Sequence, residues 1–354
     1  MPSHKKLAVV LFNLGSPDSP EAIKPFLFNL FSDPAILKVP NPLRWILASL
    51  LSWSRTSKTK ELYARIGGQS KLLEHTKAQA LELHHNISDM AEQVEVFIFM
   101  RYWHPFVDET VQQIKEFSPE RIVLLPLYPQ FSTTTVGTSL KAFHEEAARQ
   151  HLNVPVDTLC CYPAHDAFIK ATVEHVTKSM EEASAYGTPR LLLSAHGLPE
   201  RTIADGDPYQ WQVELTASAL VDALALPNLD WVVCYQSRVG PVKWIGPFTE
   251  DEVEKAGKDG VPVVICPIAF VSEHLETQVE VDMELRAIAE KSGVPGFVRA
   301  PALVTNCTFI AGLGDLVRQT LFSGAPRSYT GKRICPNSAT ACPEQFGRND
   351  LGND

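Results

Sequence analysis

The chain has 354 residues, of which 45% are hydrophobic and 21% are charged, and its formal net charge at pH 7 is −9. This composition excludes a disordered chain, and the length predicts two domains that each bury a core. The acidic balance, without any block of lysine or arginine, excludes a nucleic-acid partner.

The amino terminus leads straight into a short strand-like run, Leu7–Phe12. The residues before it are too few and too poorly flanked for a signal peptide. No apolar stretch approaches the roughly 20 residues that span a bilayer. We therefore expect a cytoplasmic protein without a membrane-spanning segment.

Short apolar runs alternate with longer helical patterns along the chain. The predicted strands are Leu7–Phe12, Val94–Met100, Arg121–Leu127, Val156–Leu159, Leu191–Leu193, Trp231–Cys234, Val261–Ile265 and Phe297–Ala300. Helix-length segments between them include Ala164–Ser184, Trp211–Leu224 and Glu273–Lys291. This alternation is typical of an α/β fold with parallel sheets and crossover helices. The strands divide into two sets of four, with the change near residues 130–155.

Polar side chains follow many of these strands, at the edge where open α/β sheets bind ligands. They are Asn13, Arg101, His104, Tyr128, Gln130, His196, Gln236, Arg238, His274 and Glu276. Among them, His196 comes directly after a buried strand, and Gly197 and Pro199 end the element at once. An isolated histidine in this position is commonly an inert, hydrogen-bonded residue. The polar residues that follow the other strands favour a ligand-facing imidazole instead.

An acidic row begins in the segment behind the strand Val261–Ile265. Glu276, Glu280 and Glu284 are spaced at i, i+4 and i+8, so they share one face of a helix. Such a row is commonly only a solvated surface. Here no lysine follows at i+4 to relieve the repulsion, and the row starts at the ligand edge. A carboxylate row of this kind can carry hydrated cations or protons.

Nucleotide-binding motifs are absent from the sequence. The pair Gly312 and Gly314 lacks a third glycine, and the segment 67–71 lacks the spacing of a phosphate-binding loop. We therefore expect no nucleotide cofactor.

Seven motifs together resemble ferrochelatase of the bacterial type, the enzyme that inserts ferrous iron into protoporphyrin IX to form haem. They occupy residues 11–17, 63–68, 101–105, 127–132, 194–199, 235–244 and 270–277, and the resemblance extends from about residue 7 to about residue 322. It implies two Rossmann-like α/β domains, each a parallel sheet flanked by helices, with the active-site cleft between them. The expected domains are 1–130, completed by a helix at about 307–322; 131–306; and a polar tail, 323–354.

The resemblance also implies roles for individual residues. His196 and Glu276 are the expected catalytic pair that contacts Fe2+, the metal substrate, with His274, Glu280 and Glu284 as a neighbouring or transit row. Whether His196 acts as proton acceptor, metal ligand or both stays open. The expected porphyrin-binding residues are Leu14, Trp45, Tyr63, Arg65, Arg101, Tyr128, Gln236 and Arg238. Leu14 stands where some relatives carry methionine or tyrosine, so here it can only pack.

The segment Pro42–Trp53 carries two tryptophans beside Arg44 and Arg55. By itself it fits a core helix. In a porphyrin-binding protein it fits an exposed apolar lip, which leaves open peripheral contact with the inner face of a membrane.

Seven cysteines are present, and a cytosolic setting argues against disulfides. Some ferrochelatases bind a [2Fe-2S] cluster through cysteines of the carboxyl-terminal tail and the body. The tail here offers Cys335 and Cys342, and Thr133 occupies the position of the body cysteine in animal enzymes. The adjacent pair Cys160 and Cys161 could complete the ligand set, so the resemblance leaves the cluster open.

Two other functions also stay open. One is a related tetrapyrrole chelatase that acts on coproporphyrin or inserts cobalt. The other is a non-enzymatic porphyrin or haem carrier, which would not need the acidic row.

Overall fold

The computed structural model describes residues 5–345. The chain divides into two compact units, each described by itself below. Within the described range, the first contains residues 5–161, 313–334 and 343–345, and the second contains 162–312 and 335–342. Among the described residues, no helix has both the length and the apolarity needed to cross a membrane.

The first unit is built on a five-stranded parallel sheet in the order β2-β1-β3-β4-β9. Its strands are β1 (Lys6–Asn13), β2 (Gln93–Met100), β3 (Arg121–Pro126), β4 (Val156–Cys161) and β9 (Pro326–Ser328). Its helices are α1 (Ile23–Ser32), α2 (Leu43–Ala64), α3 (Leu72–Ile87), α4 (Val107–Phe117) and α5 (Thr138–Arg149), with a π-helical turn at Thr133–Gly137. Residues Leu7–Phe12 of β1 are completely buried, because helices cover both faces of a parallel sheet.

The second unit is built on a four-stranded parallel sheet in the order β6-β5-β7-β8. Its strands are β5 (Arg190–His196), β6 (Trp231–Gln236), β7 (Val263–Pro267) and β8 (Phe297–Arg299). Its helical segments are α6 (Asp166–Ala183), a 3₁₀ turn (Ser184–Tyr186), α7 (Glu200–Ala204), α8 (Tyr209–Leu224), α9 (Thr249–Asp259), a π-helix (Glu276–Glu284) and α10 (Leu285–Ser292). The helix α11 (Cys307–Thr320) begins in the second unit and belongs to the first unit from residue 313 onward, and the 3₁₀ turn Pro343–Gln345 also belongs to the first unit.

Side chains alternate between the two faces of β5, and both faces are buried. Leu191, Leu193 and Ala195 pack into the core on one face of the sheet, whereas Leu192 packs into a separate core on the other face. The strand therefore needs apolar residues at consecutive positions, which is the pattern that made it recognisable in the sequence.

All eight predicted strands are confirmed, and they form two sets of four. The chain passes from the first unit to the second after Cys161, beyond β4, whereas the sequence placed this boundary at 130/131. The short strand β9 was not predicted, because three residues that begin with a proline show no apolar periodicity. The expected helix Glu273–Lys291 is a π-helix followed by α10.

Candidate active site

The second unit gathers its polar side chains where the order of its strands reverses. β5 lies between β6 and β7, and the chain continues outward to β8 on one side only. Loops that leave neighbouring strands in opposite directions open a crevice at this point, at the carboxyl ends of the strands. His196 and Gln236 end β5 and β6 as register partners, and Glu276 follows β7.

Three donors converge on one oxygen of Glu276. Nδ1 of His196 lies 2.7 Å from Glu276 Oε1, Nε2 of Gln236 donates to it at 3.0 Å, and Oγ of Ser237 lies 2.8 Å away. No residue in the described range donates to Glu276 Oε2 or bonds to His196 Nε2. The carboxylate is therefore fixed in one orientation, with one oxygen and one imidazole nitrogen left to meet a ligand.

Ser237 connects this carboxylate to the next one in the acidic row. Its Oγ also lies 2.7 Å from Glu280 Oε2, and its backbone adopts a left-handed conformation with φ of 67°. A residue other than glycine in this conformation is uncommon and concentrates at functional sites. A hydroxyl has one proton, so Ser237 donates to one carboxyl group and accepts from the other only when that group is protonated.

Protonation in the site follows from burial and from the mutual charges. Although burial opposes ionisation of Glu276, the charge of His196 and its hydrogen bond hold the pKa of Glu276 well below its usual range. Burial also disfavours the charged imidazolium, but the negative charge of Glu276 outweighs it and raises the pKa of His196. Burial and the charge of Glu276 raise the pKa of Glu280 to about 7. Glu280 is therefore the carboxyl group that keeps a proton near neutral pH.

The π-helix explains why two members of the acidic row meet at one serine. A π-helix has i→i+5 hydrogen bonds and more residues in each turn than an α-helix, and it occurs often at functional sites. Glu276 and Glu280, the first and fifth residues of this element, both lie within hydrogen-bonding distance of Ser237. Glu284, the last residue, is exposed.

His274 lies beside the pair but is held differently. Its Nδ1 accepts a hydrogen bond from the backbone N–H of Thr277 at 3.2 Å, and its ring packs edge-on against Phe270 at 4.5 Å. Burial lowers the pKa of His274, which favours its neutral form. The backbone contact leaves the proton of the neutral ring on Nε2.

The described residues contain no group of three or more His, Cys, Asp or Glu side chains that could hold a metal ion. The role of His196 and Glu276 as a pair that contacts a metal therefore stays a prediction.

In the first unit, Arg101 belongs to a buried polar network. Its guanidinium donates to Asp33 at 2.6 Å and to Thr138 Oγ1 at 3.0 Å, and Asp33 also accepts from Tyr102 at 2.9 Å and from Thr138 at 2.7 Å. Only 24% of the Arg101 side chain is exposed. Two of its five N–H donors are engaged in these hydrogen bonds, and its expected contact with porphyrin stays a prediction.

The other expected porphyrin-binding residues differ in exposure. Tyr63 is 3% exposed, and burial raises its pKa far above the usual range, whereas Leu14 is half-buried and Arg65 is exposed. Tyr128 is half-buried, and its hydroxyl is a buried polar atom without a hydrogen-bond partner. Such a hydroxyl is costly unless something binds it, which makes Tyr128 a candidate ligand contact.

Arg238 follows Ser237 on the exposed side of the second unit. It pairs with Glu250 at 3.0 Å and lies 4.2 Å from the ring centroid of Phe248. The guanidinium is therefore already engaged, and the expected contact with porphyrin is not tested by this geometry.

The expected apolar lip forms the exposed face of α2. Trp45 is 60% exposed and Trp53 is 71% exposed, and three aliphatic side chains beside them, Leu43, Ile46 and Leu50, are also exposed. The segment 38–77 carries eight lysine or arginine residues against two glutamates, although the whole chain is acidic. The interpretation as a core helix does not hold, because these side chains face outward.

The cysteine pair Cys160 and Cys161 lies in a β-bulge. The register of β4 against β9 shifts between Leu159 and Cys161, and both thiols pack into the same core cluster with their sulfurs 3.5 Å apart. Adjacent residues of a regular strand would point to opposite faces, so the bulge is what brings the two sulfurs together. In the second unit, Cys335 and Cys342 are buried, and Gln212 donates to the sulfur of Cys335 at 3.2 Å.

Ser237, Ser194 and Asp33 were not predicted individually as site residues. Ser237 lies in a loop, where serine is common, so its position directly after Gln236 was the only signal that could have identified it. Ser194 lies inside an apolar run, where a buried hydroxyl needs a partner. Asp33 follows α1 and shows no pattern of its own, because its partners are distant in sequence.

Comparisons with known proteins identify chains that this one is similar to. A family model for ferrochelatase matches residues 6–321. A ferrochelatase from Caulobacter vibrioides is 49% identical over 347 residues, which cover 97% of this chain and 99% of the relative. A ferrochelatase from Rickettsia bellii is 47% identical over 343 residues, which cover 96% and 95%. The solved structure of SirB from Bacillus subtilis with Fe3+ has a TM-score of 0.51 at 12% identity, covering 89% of this chain and 95% of that chain, which shows a shared fold.

Proposed function

The chain belongs to the ferrochelatase family, and we propose that the group around His196 and Glu276 is where it inserts ferrous iron into protoporphyrin IX. The reaction forms haem and releases two protons from the pyrrole nitrogens. The observation that carries the proposal is the convergence of three donors on Glu276 Oε1. It orients the carboxylate and the imidazole through Oε1 and Nδ1, so that His196 Nε2 and Glu276 Oε2 are the atoms that could meet the reacting centre.

His196 Nε2 accepts a pyrrole proton in this proposal, and the imidazolium that forms is stabilised by the carboxylate on its other nitrogen. Although burial opposes the charged form, Glu276 raises the pKa of His196, which makes its imidazole a stronger base for this task. Glu276 Oε2 meets the ferrous ion, and the porphyrin nitrogens replace these protein contacts as the metal enters the ring. Carboxylate and imidazole bind Fe2+ less tightly than they bind later metals of the Irving–Williams series, so release is not prevented.

Glu280 is the next proton acceptor in the proposal. Ser237 lies within hydrogen-bonding distance of both Glu276 and Glu280, and a carboxyl group with a pKa of about 7 takes and gives protons readily near neutral pH. Glu284, which is exposed, places the end of the row at the solvent. His274 stays neutral and keeps the site polar beside this path.

The experiment is an anaerobic assay of the purified protein with Fe2+ or Co2+ and with protoporphyrin or coproporphyrin, followed by the absorbance of the metallated product. We expect repeated turnover with Fe2+ and protoporphyrin. A preference for coproporphyrin or cobalt would support a related chelatase. Stoichiometric porphyrin binding without turnover would identify a carrier and refute the enzymatic proposal.

Contact with an anionic membrane surface is the second part of the proposal. Exposed tryptophans on α2, surrounded by an excess of basic residues, combine an apolar contact with attraction for anionic lipids. Protoporphyrin partitions into membranes, so an exposed apolar lip that contacts a membrane also suits uptake of this substrate.

A [2Fe-2S] cluster held by Cys160, Cys161, Cys335 and Cys342 is the third part, and its ligand set would assemble only as the cluster binds, because no three of these side chains form a group that could hold a metal ion in the described residues. The β-bulge supports it, because it removes the objection that adjacent cysteines point apart. The amide of Gln212 supports it as well, since an N–H donor stabilises a thiolate sulfur. Iron insertion involves no net electron transfer, so the cluster would serve a structural or sensory role.

A further inference from the structure

Two buried hydroxyl groups lie behind Gln236, away from the reacting atoms. Ser194 on β5 and Thr249 at the start of α9 are both completely buried. Ser194 Oγ donates to Gln236 Oε1, and Thr249 Oγ1 lies 2.9 Å from Ser194 Oγ. Ser194 is two residues before His196 on β5, so both side chains project from the same face of the strand.

The direction of each hydrogen bond in this group is determined by elimination. Ionised Glu276 only accepts, so the Gln236 amide must turn its Nε2 towards it and its Oε1 towards Ser194. Oε1 also only accepts, so Ser194 gives it the single hydroxyl proton. The contact between the two hydroxyls is then donated by Thr249. The chain of donors runs from Thr249 through Ser194 and Gln236 to Glu276.

The opposite orientation of the Gln236 amide would place two acceptor oxygens about 3 Å apart, at Gln236 and Glu276. Without Ser194, Oε1 of Gln236 would be buried with no donor from β5, and a buried acceptor without a partner is costly. The amide would then rotate out of place, and Glu276 would lose one of the three donors that fix its carboxylate.

We propose that Ser194, supported by Thr249, is a positioning residue that sets the orientation of the Gln236 amide and through it the orientation of the Glu276 carboxylate. This inference rests on the proposed function, since it matters for the reaction only if Glu276 acts at the reacting centre. Ser194 itself touches neither the metal nor the porphyrin. If Ser194 and Thr249 were only structural, their hydrogen bond would satisfy two buried hydroxyl groups and would not affect turnover.

The test is a double-mutant cycle on iron insertion. Ser194→Ala should lower kcat about tenfold, because small misplacements of reacting groups are expensive, while KM for protoporphyrin stays within about twofold. Thr249→Val should lower kcat less, and Thr249→Ser should leave it unchanged. In a Gln236→Leu background, Ser194→Ala should have no further effect, because the group through which it acts is gone.

Ser179→Ala is the matched control, since Ser179 is also a buried serine of the second unit but donates to a helix carbonyl at His175. It should leave kcat unchanged. Independent, multiplicative effects of Ser194→Ala and Gln236→Leu would overturn the inference, as would equal kcat in Ser194→Ala and the control. If Ser194→Ala does not fold, the same cycle with Thr249→Val decides. Turnover that survives His196→Ala would instead refute the proposed function, so the two failures are distinguishable.

Discussion

Replacement of Ser237 separates the chemistry of its hydroxyl from the conformation of its backbone. Ser237→Ala removes the contacts to Glu276 and Glu280 but keeps a Cβ in the left-handed conformation at φ of 67°. Ser237→Gly removes the same contacts and relieves the backbone. A hydrogen bond to a charged group contributes about 1.5–3 kcal/mol, so both variants should lose roughly 10- to 100-fold in kcat.

The two variants should differ in stability. A side chain in the left-handed region costs about 1–2 kcal/mol relative to glycine, part of which the greater freedom of unfolded glycine cancels. We expect Ser237→Gly to be about 1 kcal/mol more stable than Ser237→Ala, which corresponds to a Tm difference of roughly 1–2 °C for a chain of 354 residues. Anaerobic iron-insertion kinetics and thermal unfolding measure both quantities. A kcat within twofold of wild type in either variant would refute the role of the hydroxyl, and equal Tm values would refute the strain.

Three further predictions concern separate features. Replacing Trp45 and Trp53 together by serine removes roughly 300 Å2 of exposed apolar surface, and burial of such surface in a membrane contributes ~25 cal/mol per Å2. The variant should therefore co-sediment less with anionic liposomes and have a higher KM for protoporphyrin. Its Tm should barely change, because both side chains are exposed. Between pH 4.5 and about 7, folded wild-type protein keeps a proton on Glu280 that the unfolded chain releases, so its free energy of unfolding should fall as the pH rises through this range. Glu280→Gln has no such proton and should not show this fall. Cys342→Ser should abolish the colour, the acid-labile sulfide and the reduced-state paramagnetic signal expected of a [2Fe-2S] protein.

Each of these predictions has its own control or contrary outcome. Tyr186→Ser removes a 56%-exposed aromatic ring from the second unit and should leave liposome binding unchanged. Equal slopes of stability against pH in wild type and Glu280→Gln would contradict the raised pKa of Glu280. A colourless wild-type protein from anaerobic, iron-replete expression, with its thiols freely alkylated, would refute the cluster.

The strands could be predicted from the sequence because each is a continuous run of apolar residues. Buried parallel strands need apolar side chains on both faces, as Leu191–Leu193 illustrate, and such runs are visible without any tertiary information. The boundary between the units was less visible. Nothing local in Val156–Cys161 reveals which sheet the strand joins, because that depends on pairing with β3 and β9.

The residues of the candidate site were predicted one by one, whereas the geometry that the structure gives them was not. Spacing at i and i+4 indicated that Glu276 and Glu280 share a face, and it could not show that a π-helix carries them. It also could not show that Ser237 lies between them, since this depends on a left-handed residue at the end of β6. The bulge at Cys160 is similar, because a register shift is a property of two strands together.

The most direct test of the central claim is iron insertion by His196→Ala, measured anaerobically beside protoporphyrin binding and thermal unfolding of the same preparation. We expect turnover at the level of the uncatalysed reaction, with porphyrin binding and Tm close to wild type, because the imidazole is 40% exposed and faces the reacting centre. Turnover within about tenfold of wild type would contradict the account, since general base catalysis by one positioned side chain contributes roughly 10²- to 10⁴-fold.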